Sequence, residues 1–202
     1  VSQKNFSILA ENVQPAIIDP LTGFGTDTTL VITVKIGDKN NQLLTDAHTV
    51  FFETEWGLIE PSCITQDGIC TVNWQTSFGS TLPIGNLTTI TAYTLGEEHF
   101  SDTNGNGLFD DNDTPFPSSG DLFTDREEPF VDADMTDGVF NASFGDKIID
   151  VMNGLILGTN NAHDDADGFL NSPSCTHSSL CSTTRQTIFV WVDIELDMNG
   201  PP

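Results

Sequence analysis

Residues Thr29–Ile36 form the stretch TLVITVKI, and this stretch decides the fold class. Apolar side chains occupy every second position: Leu30, Ile32, Val34 and Ile36. Successive side chains of a β-strand point to opposite faces, so this alternation predicts a strand with one buried face. The sequence GDKNN at residues 37–41 then predicts a turn.

The same period of two recurs on both sides of this strand. We predict further strands at residues 47–54 (AHTVFFET), 57–60, 68–76 (GICTVNWQT), 86–94 (NLTTITAYT) and 186–196 (QTIFVWVDIEL). Turn residues separate the strands, and no convincing helical period occurs before residue 145. Short strands at this spacing predict an all-β antiparallel sandwich rather than alternating strands and helices.

An acidic segment separates the last strand from the others. Between Asp102 and Asp167, 16 acidic residues stand against two basic ones, a charge of −14 over 66 positions. A loop this long in a compact domain is usually functional or disordered. Residues 148–157 (IIDVMNGLIL) are predicted to form a short helix or strand. We therefore predict one domain, with residues 1–95 and 183–198 in the sandwich and residues 96–182 as an acidic insertion.

The composition argues against two classes of partner. The chain has 30 Asp and Glu against 6 Lys and Arg, a formal net charge of −24. Nucleic acids and anionic lipids both require basic side chains, so we expect no nucleic-acid binding. No apolar run approaches the length of a membrane span, and we expect no membrane insertion. The 14 Phe residues and 37% hydrophobic content are sufficient for a packed core.

Four cysteines lie in two short loops, Cys63 with Cys70 and Cys175 with Cys181. Neither pair has zinc-binding spacing, so two local disulfides are the favoured interpretation. Disulfides indicate an oxidising compartment, which predicts a secreted, periplasmic or cell-surface protein. Four buried free thiols in a cytosolic protein are the alternative.

Residues 102–113 (DTNGNGLFDDND) carry the clearest chemical pattern. Oxygen-bearing side chains occupy positions 1, 3, 5, 9 and 12 of a twelve-residue Ca²⁺ loop, and Gly107 occupies position 6, where such a loop turns sharply. The backbone carbonyl at position 7 completes the set. The predicted ligands are Asp102, Asn104, Asn106, Leu108, Asp110 and Asp113.

Further acidic residues follow with less regular spacing, and one to two more ions are candidates. These carboxylates either complete further sites or form a solvated acidic face. Oxygen ligands without a His or Cys pattern favour calcium over transition metals. The candidate further ligands are Asp111, Asp121, Asp125, Glu127, Glu128, Asp132, Asp134, Asp137, Asp164, Asp165 and Asp167.

No catalytic motif is present in the sequence, so we expect no enzyme activity. Trp56, beside Gly57, is the candidate for an exposed aromatic platform that stacks on sugars. Four triplets match the glycosylation sequon, a weak signal that arises often by chance. Their asparagines are Asn5, Asn86, Asn112 and Asn141.

Several motifs together resemble bacterial immunoglobulin-like, invasin-like repeat domains of secreted or surface-anchored proteins of Gram-negative bacteria. They are FFET at 51–54, GLIEPSC at 57–63, DGICTVNW at 67–74, TITAYTLGEE at 89–98, DTNGNGLFD at 102–110 and CTHSSLC at 175–181. The resemblance spans almost the whole chain. It implies an immunoglobulin-like sandwich that binds calcium and has a structural or adhesive role. The irregular residues 132–141 depart from the successive acidic loops of such relatives.

These observations predict an extracellular, calcium-stabilised structural subunit. Sandwich edges pair readily with added strands, so residues 6–13 and 186–196 are expected to join copies into a homo-oligomer or filament. The alternative is an adhesin module that binds surface glycans or another cell-surface partner.

Overall fold

The computed structural model describes residues 1–15, 17, 27–77, 82–133, 138–151 and 159–199. Its regular structure is almost entirely β, with two single turns of 3₁₀ helix at Gln3–Asn5 and Ile84–Asn86. The strands are β1 (Phe6–Ala10), β2 (Thr29–Ile36), β3 (Thr49–Thr54), β4 (Leu58–Ile59), β5 (Ser62–Ile64), β6 (Ile69–Gln75), β7 (Leu87–Gly96), β8 (Phe130–Val131), β9 (Lys147–Ile148) and β10 (Ile188–Asp197). No helix in these residues is long and apolar enough to cross a membrane.

The strands form two four-stranded antiparallel sheets and one small two-stranded sheet. The first sheet has the order β1-β2-β6-β4, and the second has the order β10-β7-β3-β5. The small sheet consists of β8 and β9. The all-β, antiparallel prediction is confirmed, and the arrangement is sandwich-like.

The main core is formed by the alternating apolar residues of both large sheets. In the first sheet Ile32 pairs with Val72, and both are buried. In the second, Phe52 pairs with Ala92, and both are again buried. Lys35 is exposed, as the alternation of TLVITVKI predicts. Burying one face of each sheet against the other is the dominant favourable term in such a fold.

The observed strand boundaries differ modestly from the predicted ones. Residues 57–60 were predicted as one strand, but only Leu58–Ile59 pair with β6. The strand Ser62–Ile64 was not predicted, because three residues carry almost no alternation signal. Of residues 148–157, Ile148 lies in β9, whereas residues 152–158 lie outside the described part of the chain.

Residues 97–187 connect β7 to β10, and we call them the connecting segment. The two strands are direct neighbours along their full length, so this segment leaves and re-enters the same sheet. It also covers part of the outer face of that sheet, around Thr89, Thr91 and Trp191. The Phe130 ring lies 5.1 Å from the Trp191 ring, and the Thr89 hydroxyl donates to the Asp132 carbonyl at 2.6 Å.

Both predicted disulfides are present. Cys63 is bonded to Cys70 with a Cα separation of 6.0 Å, and Cys175 to Cys181 with a separation of 5.6 Å. The second pair packs against a separate small core in the connecting segment, formed by Phe100, Phe109 and Leu170. Two disulfides indicate a protein that resides outside the cytoplasm.

Candidate metal centres

The loop of residues 102–113 is closed by the carboxylate at its first position. Asp102 Oδ1 accepts hydrogen bonds from the N–H groups of Gly105 (2.8 Å) and Asn106 (3.2 Å), and Oδ2 accepts from that of Gly107 (2.9 Å). Both glycines have positive φ, which a residue with a side chain adopts only with strain. The chain therefore wraps tightly around the Asp102 side chain.

Asp110 draws the middle of the loop inwards. Its carboxylate accepts the side-chain amides of Asn104 (3.2 Å) and Asn106 (2.8 Å), so positions 3, 5 and 9 meet. The pKa of Asp110 is held below its usual value, mainly by a hydrogen bond from the main-chain N–H of Asn112 and further by the two side-chain amides. At the end of the loop, Asp113 accepts the main-chain N–H groups of Thr103 and Asp110, both at 2.9 Å.

Asn104 and Asn106 both turn their side-chain amides towards Asp110. The amide N–H₂ groups of Asn104 and Asn106 provide positive dipole ends to Asp110. A half-turn of each amide would point its oxygen inwards instead, at the cost of the hydrogen bonds that these oxygens accept from the N–H groups of Asn106 and Leu108. The structure thus brings Asn104, Asn106 and Asp110 together, whereas the carboxylates of Asp102, Asp110 and Asp113 do not all come within 4.8 Å of one another. Leu108 lies on the same loop, with its N–H donating to Asn106 Oδ1 at 2.7 Å.

The loop is anchored to the rest of the protein by Phe109 and Lys39. Phe109 is fully buried, and its ring stacks on His177 at 5.0 Å. Its N–H donates to the Ser174 carbonyl at 2.9 Å, beside the second disulfide. Lys39 donates to the Gly107 carbonyl and, at 2.7 Å, to the Ser174 hydroxyl. The loop geometry therefore depends on contacts with two distant parts of the sequence, Lys39 and residues 174–177.

Two further candidate ligands, Asp111 within this loop and Asp121 after it, have other surroundings. Asp111 accepts the N–H of Ser178 at 3.0 Å and its hydroxyl at 2.9 Å, and these bonds lower its pKa. It thus faces the second disulfide loop rather than the centre of residues 102–113. Asp121 has an exposed side chain, and its carbonyl accepts the N–H of Phe116 at 2.7 Å.

A second acidic centre surrounds Glu128, which is almost completely buried. Its carboxylate accepts the N–H groups of Val151 (2.7 Å) and Asp164 (3.3 Å). Asp164 in turn accepts the side-chain amide of Asn160 at 3.0 Å, and Asp150 accepts the Asn160 N–H at 3.1 Å. Burial raises the pKa of Glu128 to about 6, and the nearby Asp164 and Asp150 contribute in the same direction.

A third acidic centre is formed by Asp132 and Asp146, both buried. Asp146 accepts the N–H groups of Ala133 (2.9 Å) and Asn141 (2.6 Å) and thereby closes the chain between them. Burial raises the pKa of Glu55, at the end of β3, and Asp132 and Asp146 add to the rise. The predicted ligands Asp134 and Asp137 lie outside the described residues.

A fourth acidic centre contains Glu98, which the sequence analysis missed. Its buried carboxylate accepts the N–H groups of Arg126 and Asn171, both at 2.7 Å. Asp125 lies nearby and accepts the N–H of Gly168 at 2.6 Å, while its Oδ1 is buried without a hydrogen-bond partner. Asp167 accepts the N–H of Phe169 at 2.8 Å. The signal in the sequence that could have identified Glu98 is its position two residues after the end of the long strand β7.

Glu98 predicts a pH dependence for the metal-free protein. Burial raises its pKa to about 7 from the usual 4.5. Between these values the folded protein keeps a proton that the unfolded chain releases. Protonated Glu98 therefore contributes its full stability below the unfolded-state pKa of 4.5. This contribution is lost as the pH rises through the folded-state pKa of about 7, and the total loss is on the order of 3 kcal/mol.

Glu98→Gln tests this dependence, by chemical unfolding in EGTA at several pH values. We expect the variant to be less stable at low pH, because Gln leaves one N–H without an acceptor, and to lose less stability than the parent as the pH rises. Glu97→Gln removes the same charge from the neighbouring residue and is the control. Equal pH slopes for Glu98→Gln and the parent would show that Glu98 does not titrate in this range.

Trp56 is the candidate for an aromatic platform that stacks on sugars. The prediction of an exposed platform at Trp56 is wrong: the ring is half-buried, packs against Trp74 at 6.0 Å, and its indole nitrogen is buried.

The four sequon asparagines all make hydrogen bonds within the chain. Asn5 donates its amide to the Asp38 carbonyl at 2.6 Å, and Asn86 donates to Asn199 at 2.9 Å. Asn112 is exposed and bonds Asp110 at 3.0 Å, while Asn141 is half-buried and accepts from Ser143.

Comparison with protein-family models, with curated proteins and with solved structures found no match.

Proposed function

We propose that the protein is an extracellular, calcium-stabilised structural subunit with an immunoglobulin-like sandwich. We further propose that copies assemble into a surface filament through their sheet edges. The observation that carries the calcium proposal is the closed loop of residues 102–113, which has the spacing of a Ca²⁺ loop. In this loop Asn106 bonds Asp110, and Asp102 and Asp113 bond the main chain. The reading as a bacterial immunoglobulin-like repeat domain rests on the sequence motifs.

The charge balance supports the binding of cations. Glu98, Glu128, Asp132 and Asp146 are all at least nine-tenths buried. A buried carboxylate is costly unless it is paired or coordinates a metal. The chain has only six basic residues for 30 acidic ones, so its Lys and Arg side chains can neutralise at most a fifth of its carboxylates. Calcium ions at one to three sites would offset two to six of the charges and strengthen the connecting segment.

The strand order supports an immunoglobulin-like topology. Constant-type immunoglobulin domains have their first, second, fifth and fourth strands in one sheet, and their third, sixth and seventh strands in the other. The orders β1-β2-β6-β4 and β10-β7-β3 correspond to this arrangement. The connecting segment then joins the last two strands, where immunoglobulin domains often carry binding loops.

The sheet edges support assembly through two opposite sides. One side has β1 and β10 as edge strands, and the other has β4 and β5. Leu58 on β4 and Ile64 on β5 are exposed large hydrophobic residues, as is Leu9 on β1. A contact between the first side of one copy and the second side of the next is head-to-tail, and repeating it gives an open filament.

Part of the β10 edge is already covered within the chain. The Gln3 side chain donates to the Trp191 carbonyl at 3.1 Å and accepts its N–H at 3.3 Å. Near the end of the strand, the Asp197 N–H donates to the Val13 carbonyl at 2.8 Å. The proposed contact therefore places β1, rather than the full length of β10, against the neighbouring copy.

If copies assemble, the purified protein is expected to form particles larger than a monomer, and one edge-strand substitution is expected to prevent this. We expect the purified protein to form filaments or oligomers in millimolar Ca²⁺, observed by light scattering after gel filtration and by electron microscopy. A charged residue on an edge strand opposes pairing, so Ile64→Lys is expected to remain monomeric. Phe144→Lys is the matched control, because Phe144 is 62% exposed, Ile64 is 64% exposed, and Phe144 lies in the connecting segment.

The control is expected to assemble like the parent protein. Monomers of the parent protein at all concentrations, with and without calcium, would overturn the assembly proposal. If Ile64→Lys assembled to the same extent as the parent, β5 would not be part of the contact between copies.

The second candidate function is an adhesin module, and a polar cleft favours it. The cleft has a volume of about 360 Å³ and is lined by Lys4, Lys39, His99 and Phe116, next to Asp102. It thus holds two of the six basic residues of the chain beside an aromatic ring. Calcium bound to Asp102 would offset that charge and leave the two lysines against one carboxylate of the lining, Glu98, which suits a sugar that carries a carboxylate. Calcium-dependent binding of such a sugar by a monomeric protein would favour this function.

A further inference from the structure

His163 is the centre of a side-chain cluster that the calcium proposal does not use. Its side chain is 5% exposed. The ring stacks on Phe140 with a centroid distance of 4.2 Å and an angle of 9° between the planes, and it meets the edge of Phe130 at 5.7 Å. This packing fixes the plane of the imidazole, and with it the directions of both ring nitrogens.

The surroundings of the ring determine which nitrogen is free. His163 Nε2 lies 3.2 Å from the main-chain carbonyl oxygen of Glu128. A carbonyl only accepts hydrogen bonds, so in the neutral ring Nε2 carries the hydrogen and Nδ1 keeps its lone pair. Nδ1 faces Asp165, with 3.9 Å between it and Oδ1. A histidine held by a backbone carbonyl on one nitrogen is the usual arrangement of a metal-ligating histidine.

A second carboxylate completes the cluster. Glu127 Oε2 lies 3.6 Å from His163 Nε2, and the Glu127 side chain is about three-quarters buried. One ligand atom from each of Glu127, His163 and Asp165 lies within 4.8 Å of the other two. Within the described ranges, this is the one group of three His, Cys, Asp or Glu residues that meets this distance.

We propose that Glu127, His163 and Asp165 bind one transition-metal ion, Zn²⁺ or an ion of the same class, with water in the remaining position. Zinc takes nitrogen and carboxylate ligands in tetrahedral geometry, with three protein ligands where one position is open. Calcium takes oxygen ligands alone, so the histidine distinguishes this site from the loop of residues 102–113. The proposal is independent of the proposed function, although Glu127 and Asp165 were among the candidate calcium ligands.

Binding of an ion at Nδ1 requires both carboxylates to turn, since Asp165 faces Nδ1 whereas Glu127 lies beside Nε2. Tetrahedral ligands about 2.1 Å from a metal lie roughly 3.4 Å from one another. Asp165 is 97% exposed, so its side chain turns towards the metal without disturbing the packing. The ion would join Glu127, just before β8, to the loop that contains His163 and Asp165. It would thus link two distant parts of the connecting segment.

Cobalt tests the site, because Co²⁺ replaces zinc and absorbs visible light when bound in tetrahedral geometry. The full chain is titrated with Co²⁺ in millimolar Ca²⁺, so that oxygen-only sites are filled. We expect one equivalent of Co²⁺ to give the tetrahedral absorption, and Zn²⁺ to abolish it. His163→Gln is expected to weaken Co²⁺ binding at least tenfold.

Two further variants make the outcome decisive. Asp165→Asn changes an exposed side chain and leaves the fold intact, and it too is expected to weaken Co²⁺ binding at least tenfold. His177→Gln is the control, since His177 contacts a single carboxylate, Asp111, at 3.3 Å; it is expected to bind Co²⁺ like the parent. No tetrahedral absorption in the parent, or unchanged binding in Asp165→Asn, would overturn the proposal. Because calcium is present throughout, either failure leaves the calcium proposal standing.

Discussion

Calcium is expected to raise the melting temperature of the chelator-treated protein by about 5 to 11 °C for each site filled at a hundredfold excess over Kd. An ion that binds only the folded state adds about 2.7 kcal/mol at that excess. For a chain of this length, 1 kcal/mol corresponds to a shift of about 2 to 4 °C. The measurement is thermal unfolding followed by circular dichroism in millimolar Ca²⁺ and in EGTA.

Asp102→Asn locates this stabilisation. The substitution removes the charge at the first position of the loop but keeps one oxygen to accept the N–H groups of Gly105 and Asn106. We expect a small loss of stability in EGTA and a much larger loss in calcium. Asp46→Asn makes the same change at an exposed position before β3 and serves as the control. Equal losses for Asp102→Asn with and without calcium would count against coordination by Asp102.

Phe109→Ala is expected to be the most destabilising single substitution in the connecting segment, by about 3 to 5 kcal/mol. Phe109 is fully buried, and its ring contacts Phe100 at 5.7 Å and Phe123 at 5.9 Å. Its removal leaves a cavity between the loop of residues 102–113 and the second disulfide. Because Phe109 precedes Asp110 in the loop, we also expect weaker calcium binding.

Thermal unfolding in calcium and in EGTA measures both effects of Phe109→Ala. Phe144→Ala, at an exposed aromatic position of the same segment, is expected to unfold within about 0.5 kcal/mol of the parent. If Phe109→Ala were as stable as Phe144→Ala, the small core would not hold the loop in place. If its stability fell but its calcium response were unchanged, the loop would be independent of the anchor.

The sequence was sufficient to predict the features that depend on local patterns. Alternation predicted β2, β6, β7 and β10, because each has one face in the main core. The short spacing of the cysteines predicted both disulfides. Strands of two or three residues carry little pattern, so β4 was predicted too long and β5 was not predicted.

The features that depend on distant contacts were not predictable in this way. Thr91 is polar, and alternation places it on the outer face of its strand, yet it is buried because its hydroxyl donates to the Phe130 carbonyl at 3.0 Å. Trp191 is buried on the same outer face, beneath Arg126, whose guanidinium lies 5.0 Å from the ring. The burial of both residues depends on how the connecting segment packs across the sheet.

The candidate centres show the same division. Residues 102–113 form a loop whose chemistry follows from spacing within twelve positions. Glu98 and His163, in contrast, acquire their environments from residues far along the chain: Asn171 for Glu98 and Glu127 for His163. Spacing in the sequence contains no signal for such pairs.

Calorimetric titration of Ca²⁺ into the chelator-stripped full chain tests the central claim most directly. The account predicts saturable binding of at least one equivalent, with a Kd below the millimolar calcium of extracellular fluids, and a loss of at least one equivalent in Asp102→Asn. Absence of saturable binding by the parent protein up to millimolar Ca²⁺ would contradict the claim that calcium stabilises this protein.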